Sequence, residues 1–247
     1  DKTQADFRDA QFCENGKLYI GKNFILSFSN SNKEYTEFTR RKYMSTSEKA
    51  AKSAIIIMFF TLGSKFLGFI RETLIAAKFG AGAETDAFSI AMTATGLITG
   101  LISNTITTTF VPILSEIDFK EGKEGKIKHT NNIINIIFFY SLVLVLLGWL
   151  VSPLLVKILA KGFYGEQYNL TVKLTRIGLP KLLFSGIIGA ITGFLHSEQR
   201  HASAAAIGFP FNFVFIFFLV FLSTTFGIKG LMVAAVFAVI SQLLIQL

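Results

Sequence analysis

The chain has 247 residues, of which 51% are hydrophobic and only 16% charged, with 27 phenylalanines and a mean hydropathy of +0.54. Soluble domains carry about a quarter charged residues, so this composition excludes one water-soluble core and calls for lipid as solvent. The net charge of +8 fits the Lys/Arg excess that fixes membrane topology. It does not fit a nucleic-acid partner, because no basic stripe is interleaved with aromatics on a polar face. Cys13 is the one cysteine, which rules out an intramolecular disulfide and a Cys-based metal site.

Residues 1–50 are polar, mixed in charge and without sustained periodicity, and they lack the layout of a signal peptide. Met44, just ahead of the capping stretch Ser45-Thr46-Ser47-Glu48, reads as the natural start. Residues 1–43 would then be disordered or non-native; a genuine cytoplasmic tail is the alternative.

Residues 51–247 form the transmembrane part. A span needs roughly 20 apolar residues, and about six such blocks follow, at residues 52–79, 86–112, 131–152, 174–195, 203–223 and 228–247. The fold class is all-α integral membrane. The second block ends at Pro112 and the third at Pro153, and the fourth is interrupted at Gly178 and Pro180. The 115–129 connection alternates lysines with acids and reads as a solvated surface helix or loop. Arg40, Arg41, Lys42, Lys49 and Lys52 at the N-terminal flank, with Lys120, Lys123, Lys126 and Lys128 in that connection, place the N-terminus in the cytoplasm.

Signatures of hydrolases, metalloproteases and P-loop NTPases are missing. No catalytic residue, metal ligand or cofactor is expected. The chemistry lies in charges at bilayer depth, each costing on the order of 2.5–3.5 kcal/mol on insertion scales. Ser64, Gly68, Arg71, Glu72 and Ile75 share one helical face, with Lys65 on its flank. Two readings stand. One is a structural ion pair, Arg71 with Asp86 or Lys65 with Glu72; the other is a cationic cavity for an anionic substrate. The second block carries a stripe of Thr93, Gly96, Gly100, Ser103 and Thr107; its GxxxG element reads as a helix-packing face. Arg176 reads as a snorkelling interfacial cation.

The stretch GSKFLGFIRE at 63–72, continuing through AKFGAG at 77–82 to TDAF at 85–88, resembles the first-helix signature of the MurJ (MviN) lipid II flippases. These belong to the multidrug/oligosaccharidyl-lipid/polysaccharide flippase superfamily. FVPIL at 110–114, AKGF at 160–163 and the run from Gly189 to Ala204 extend the resemblance over residues 50–247.

The resemblance implies one lobe of a fourteen-helix, MATE-like flippase in the bacterial cytoplasmic membrane. Such a protein moves lipid II, the polyprenyl-pyrophosphate-linked peptidoglycan precursor, by alternating access. Its partners would be that lipid-linked anionic glycan, the membrane lipids and a second lobe that this chain does not contain. By position, Arg71 matches the family's functional arginine, Asp86 its acidic residue opening the second helix, Ser64 the signature serine and Glu72 a residue that is often Asp. Substrate binding is therefore expected at Arg71, Lys65, Ser64, Asp86 and Glu72. The chain departs from the pattern where Lys65 and Thr99 stand in place of arginines. A polysaccharide-unit or drug exporter of the same superfamily and a non-transporting membrane scaffold are the alternative functions.

Overall fold

The computed structural model describes residues 12–14, 17–20, 23–27, 32–198 and 200–246, with side chains from Ala51 onward except Lys52, Gln199, His201, Ala202 and Leu247. The chain divides into two units, 1–54 and 55–247. Much of the segment expected to precede a start at Met44 lies outside the described residues. Within the first unit, β1 (Phe12–Glu14), β2 (Lys17–Ile20) and β3 (Asn23–Ser27) form an antiparallel meander in the order β1-β2-β3. Its register shifts between Leu18 and Tyr19. Strands this short carry too few alternations to register as a period.

The other described elements are helices: α1 (Asn32–Phe79), α2 (Ala83–Leu159), α3 (Gly165–Gly178), α4 (Lys181–Ser197), α5 (His201–Ala205), α6 (Gly208–Phe221) and α7 (Ser223–Gln246). From Asn32 onward the described fold is all-α, and the chain is a multi-pass membrane protein. The second and third apolar blocks belong to one run of 77 residues broken at Gly122. Straight, such a run would extend about 115 Å at 1.5 Å per residue, several times the hydrocarbon thickness. At Gly122 the backbone takes φ 70 and ψ −172, a region essentially reserved for glycine. The run therefore folds into two arms. Phe110 and Leu114 of the first cluster with Ile133, Ile134 and Ile137 of the second, closed by Ala190 and Phe194 of α4. Gly227 (φ 56) breaks α7 in the same way, and α3 and α4 form one bent span with a 43° break.

The small-residue stripe of α2 packs at its Ser103 and Thr107 end and not at its glycines. A Cβ at Gly96 or Gly100 would meet nothing within 4 Å, so among the described residues no helix packs against the GxxxG pair of α2. Close approach is made by Gly186, Gly189 and Gly193 of α4. A Cβ at Gly189 would sit 3.2 Å from the Ser103 backbone, and one at Gly193 3.2 Å from Phe110. Ser103 seals the seam by donating to the Ser185 carbonyl at 3.0 Å.

Pro153 lacks an N–H, so the carbonyl four residues earlier, at Trp149, loses its helical donor. Ser152 Oγ donates to it at 2.9 Å and Arg176 Nε at 3.2 Å. The Arg176 guanidinium also lies 4.2 Å from the Trp149 ring centroid. Arg176 thus ties α3 to the second arm of α2.

Candidate substrate-binding niche

The second-unit part of α1 meets the lobe along one line. Phe60 stacks edge-on against Phe209 at 5.5 Å. Gly63 and Ser64 press against the start of α6, at Phe209 and Gly208. Gly68 faces Asn212, and Ile75 enters the core beside Phe88, Phe215 and Leu231. The spacings of three, four and seven residues are those of one helical face. The rest of α1 stays exposed, with Phe59, Leu62, Phe66 and Phe69 turned outward.

Arg71 sits on this line. Its Nη1 donates to Asn212 Oδ1 at 3.1 Å. Its Nη2 donates to Glu72 at 2.6 Å. The guanidinium also lies 5.5 Å from the Phe211 ring and 5.2 Å from the Phe215 ring. Aromatic faces attract cations through their quadrupole, and more strongly when desolvated. Asn212 is buried. Its Nδ2 donates to the Gly208 carbonyl at 2.9 Å and toward Ser64, whose backbone oxygen is at 3.1 Å and Oγ at 3.3 Å. Because the amide nitrogen faces only acceptors, the carbonyl end must face the guanidinium.

Arg71 and Glu72 form one wall of a cavity of about 320 Å³, whose other sides are Ile75, Phe88, Met92, Thr93 and Phe215. Behind Met92, Lys181 is 5% exposed and points Nζ at the Met92 sulfur, 3.7 Å away. Lys181 has no carboxylate partner among the described residues. Of these two cations Arg71 alone lines the niche, and Glu72 is the one carboxylate among its lining residues. Glu72 is 64% exposed and free to move away. Such a niche can accept an anion, and the planar guanidinium suits a phosphate bidentately.

The expected residues separate. Arg71, Glu72 and Ser64 come together, Ser64 as a support beneath Asn212. Lys65 is exposed on the outer flank and does not line the niche. Asp86 sits in the first turn of α2, where a carboxylate favours the helix N-terminus, and also stays outside the niche. The Arg71 ion pair is with its neighbour Glu72 and not with Asp86, and Lys65 has no ion pair with Glu72. Thr99 donates to the Gly96 carbonyl of its own helix at 3.0 Å, so no cation stands there.

Two groups escape a sequence reading of the niche. Asn212 had a visible signal, a lone amide in the run FPFNFVFIFFLVF, since a polar group inside a span needs a partner. Lys181 stands beside the α3–α4 break, and nothing in the surrounding sequence marks it as buried. A third surprise lies in the charged connection. Lys126 is completely buried, pairing with Glu198 at 2.5 Å and Asp118 at 3.3 Å, and lies 5.3 Å from the Phe194 ring centroid. Its hydrogen bond, with Lys123 and Arg200 nearby, holds the Glu198 carboxyl below the usual carboxylate range.

A sequence profile of the family described as Lipid II flippase MurJ matches residues 75–247. The chain belongs to this family. It is 32% identical over 178 residues to a probable lipid II flippase MurJ of Buchnera aphidicola, covering 71% of this chain and 35% of that protein. It is 28% identical over 201 residues to the lipid II flippase MurJ of Burkholderia cenocepacia, covering 79% and 39%. A solved lipid II flippase MurJ in an inward closed conformation superposes with a TM-score of 0.64 at 25% identity, over 77% of this chain and 40% of that one. The chain thus spans little more than a third of its MurJ relatives. The family match begins at Ile75, so the niche arginine precedes the matched segment and its role rests on geometry.

Proposed function

We propose that residues 51–247 are the N-terminal lobe of a flippase. It would move lipid II, a polyprenyl-pyrophosphate-linked peptidoglycan precursor, across the bacterial cytoplasmic membrane by alternating access. The observation that carries this reading is the fixed guanidinium of Arg71 on the wall of a niche at bilayer depth. Lipid cannot occupy a charged wall cheaply, and a pyrophosphate can. In this reading the protein is a transporter without catalytic groups, its N-terminus is cytoplasmic, and Arg71 binds the pyrophosphate. Glu72 yields its pairing when substrate arrives. Ser64 holds Asn212 in place, while Lys65 and Asp86 act on the approach.

The test is complementation by the full-length gene in cells depleted of their lipid II flippase. Arg71→Ala abolishes growth, and Arg71→Lys, which keeps charge without the planar fork, restores part of it. Growth of Arg71→Ala at the wild-type rate overturns the proposal. Thr99 favours a second reading, since it leaves the wall short of one family arginine: the lipid carrier could bear a different glycan. That reading predicts normal lipid II levels after deletion of the gene, together with loss of a surface polysaccharide.

A further inference from the structure

At the end of the lobe opposite the Gly122 break, a cavity of about 780 Å³ opens between the end of α2 and the start of α3. Leu154, Lys157 and Ile158 of α2 line it together with Lys161, Tyr164 and Tyr168. The donation from Gln167 Nε2 to the Ala83 carbonyl at 3.4 Å puts this cavity at the same end as the α1–α2 turn. No carboxylate is among its lining residues, and neither lysine has an ion pair among the described residues. Tyr168 is held by its hydroxyl, which donates to the Pro153 carbonyl at 3.0 Å. Tyr164 is 79% exposed.

The surface beneath is as informative as the charges. Ile158, Leu154, Leu150 and Leu147 follow one another at spacings of four, four and three, and are 59%, 57%, 66% and 51% exposed. They form a continuous apolar ridge leading away from the two ammonium groups. Its 11 residues of rise correspond to about 16 Å, close to the half-thickness of a hydrocarbon core of about 30 Å. Lysines with tyrosines at one level and one leaflet's depth of apolar ridge below match an amphiphile lying head-up along α2. Interfacial tyrosines and basic pockets are features of lipid-headgroup sites.

We infer that Lys157 and Lys161 bind the phosphodiester of an anionic glycerophospholipid whose acyl chain lies along Ile158, Leu154, Leu150 and Leu147. The inference needs the membrane embedding of the lobe, and it is independent of the substrate proposed for the Arg71 niche.

Full-length protein is reconstituted in nanodiscs of phosphatidylcholine with or without phosphatidylglycerol, then released into mild detergent. Native mass spectrometry counts the lipid retained. Wild type retains phosphatidylglycerol in preference to phosphatidylcholine. Near a membrane surface each basic residue contributes about 1 kcal/mol, so Lys157→Gln or Lys161→Gln weakens retention about fivefold and the pair about thirtyfold. The double arginine variant keeps retention, which separates charge from folding, and Arg71→Ala leaves it unchanged. Ile158→Ser weakens retention without creating affinity for inorganic phosphate. Four results overturn the inference: equal retention of both lipids, unchanged retention in the double glutamine variant, displacement by inorganic phosphate, or displacement by polyprenyl pyrophosphate. The third would mark a free-anion site and the fourth a site for the lipid-linked substrate.

Discussion

The carbonyl oxygen of Asn212 accepts a hydrogen bond from Arg71 Nη1 at 3.1 Å, while the same amide donates to α6 and toward α1. One buried side chain therefore sets both the seam between two helices and the direction of the niche's cation. Hydrogen bonds to charged groups contribute about 1.5–3 kcal/mol. Asn212→Leu should cost that much in thermal unfolding of the full-length protein and weaken polyprenyl-pyrophosphate binding as well. Asn212→Asp keeps an acceptor for Arg71 but loses the donations to Gly208 and Ser64 and sets a carboxylate oxygen against their carbonyls, so it should melt lower than wild type as well as bind more weakly. An Asp variant that melts like wild type would show that the Nδ2 hydrogen bonds do not hold the seam.

Lys181 predicts the opposite pattern. A buried ammonium facing a thioether destabilises the lobe, and replacing buried ions with apolar groups of similar volume is often neutral or stabilising by about 1–4 kcal/mol. Lys181→Met should therefore melt no lower than wild type. If the charge serves the niche, affinity for polyprenyl pyrophosphate falls about tenfold, equivalent to about 1.4 kcal/mol. A lower melting temperature with unchanged affinity would make Lys181 structural.

The Lys126–Glu198 pair gives a pH dependence. Its folded carboxyl titrates below the ordinary value, so the stabilisation is present above that value and is lost as pH falls through the folded pKa. Acidification below the usual carboxylate range should raise hydrogen exchange in 115–130 and at the end of α4. Glu198→Gln should produce the same exchange at neutral pH, at a cost of about 1.5–3 kcal/mol. Exchange that ignores both changes would show that Asp118 alone holds Lys126.

Gly122 should resist every other residue. A Cβ there would meet nothing within 4 Å, so the cost of Gly122→Ala is conformational, about 1–3 kcal/mol. Thermal unfolding measures it. A larger loss would point to a steric role, and no loss to an alternative break at Gly125.

Much of the fold was legible because lipid imposes length and hydropathy on each span. Gly178 and Pro180 marked the bent span for the reason that breaks it, a missing donor and a flexible backbone. Ser64, Gly68, Arg71 and Ile75 fell on one face because a helical period is enough to say so. What a period cannot say is which partner that face meets. Gly96 and Gly100 carry the right spacing for a seam and face open space, whereas Gly189 and Gly193 carry the same four-residue spacing and, with Gly186, make the contact. Lys126 was hidden because alternating charges look solvated until Glu198, 72 positions away, folds onto one of them. Asn212 was legible as an oddity but not as a partner, since contact between α1 and α6 is set by packing.

The carbonyl of Trp149 has a history written into its neighbours. Pro153 deprives it of a helical donor, and Arg176 supplies one from another helix. Arg176 is thus conditional on the proline. With Pro153 in place, Arg176→Leu leaves the Trp149 carbonyl to Ser152 Oγ alone, and adding Ser152→Ala orphans it; after Pro153→Ala restores the N–H, the same changes should be nearly silent. The two positions ought to be coupled in a double-mutant cycle. Among descendants of this sequence, the arginine should vanish only in lineages that have already lost the proline.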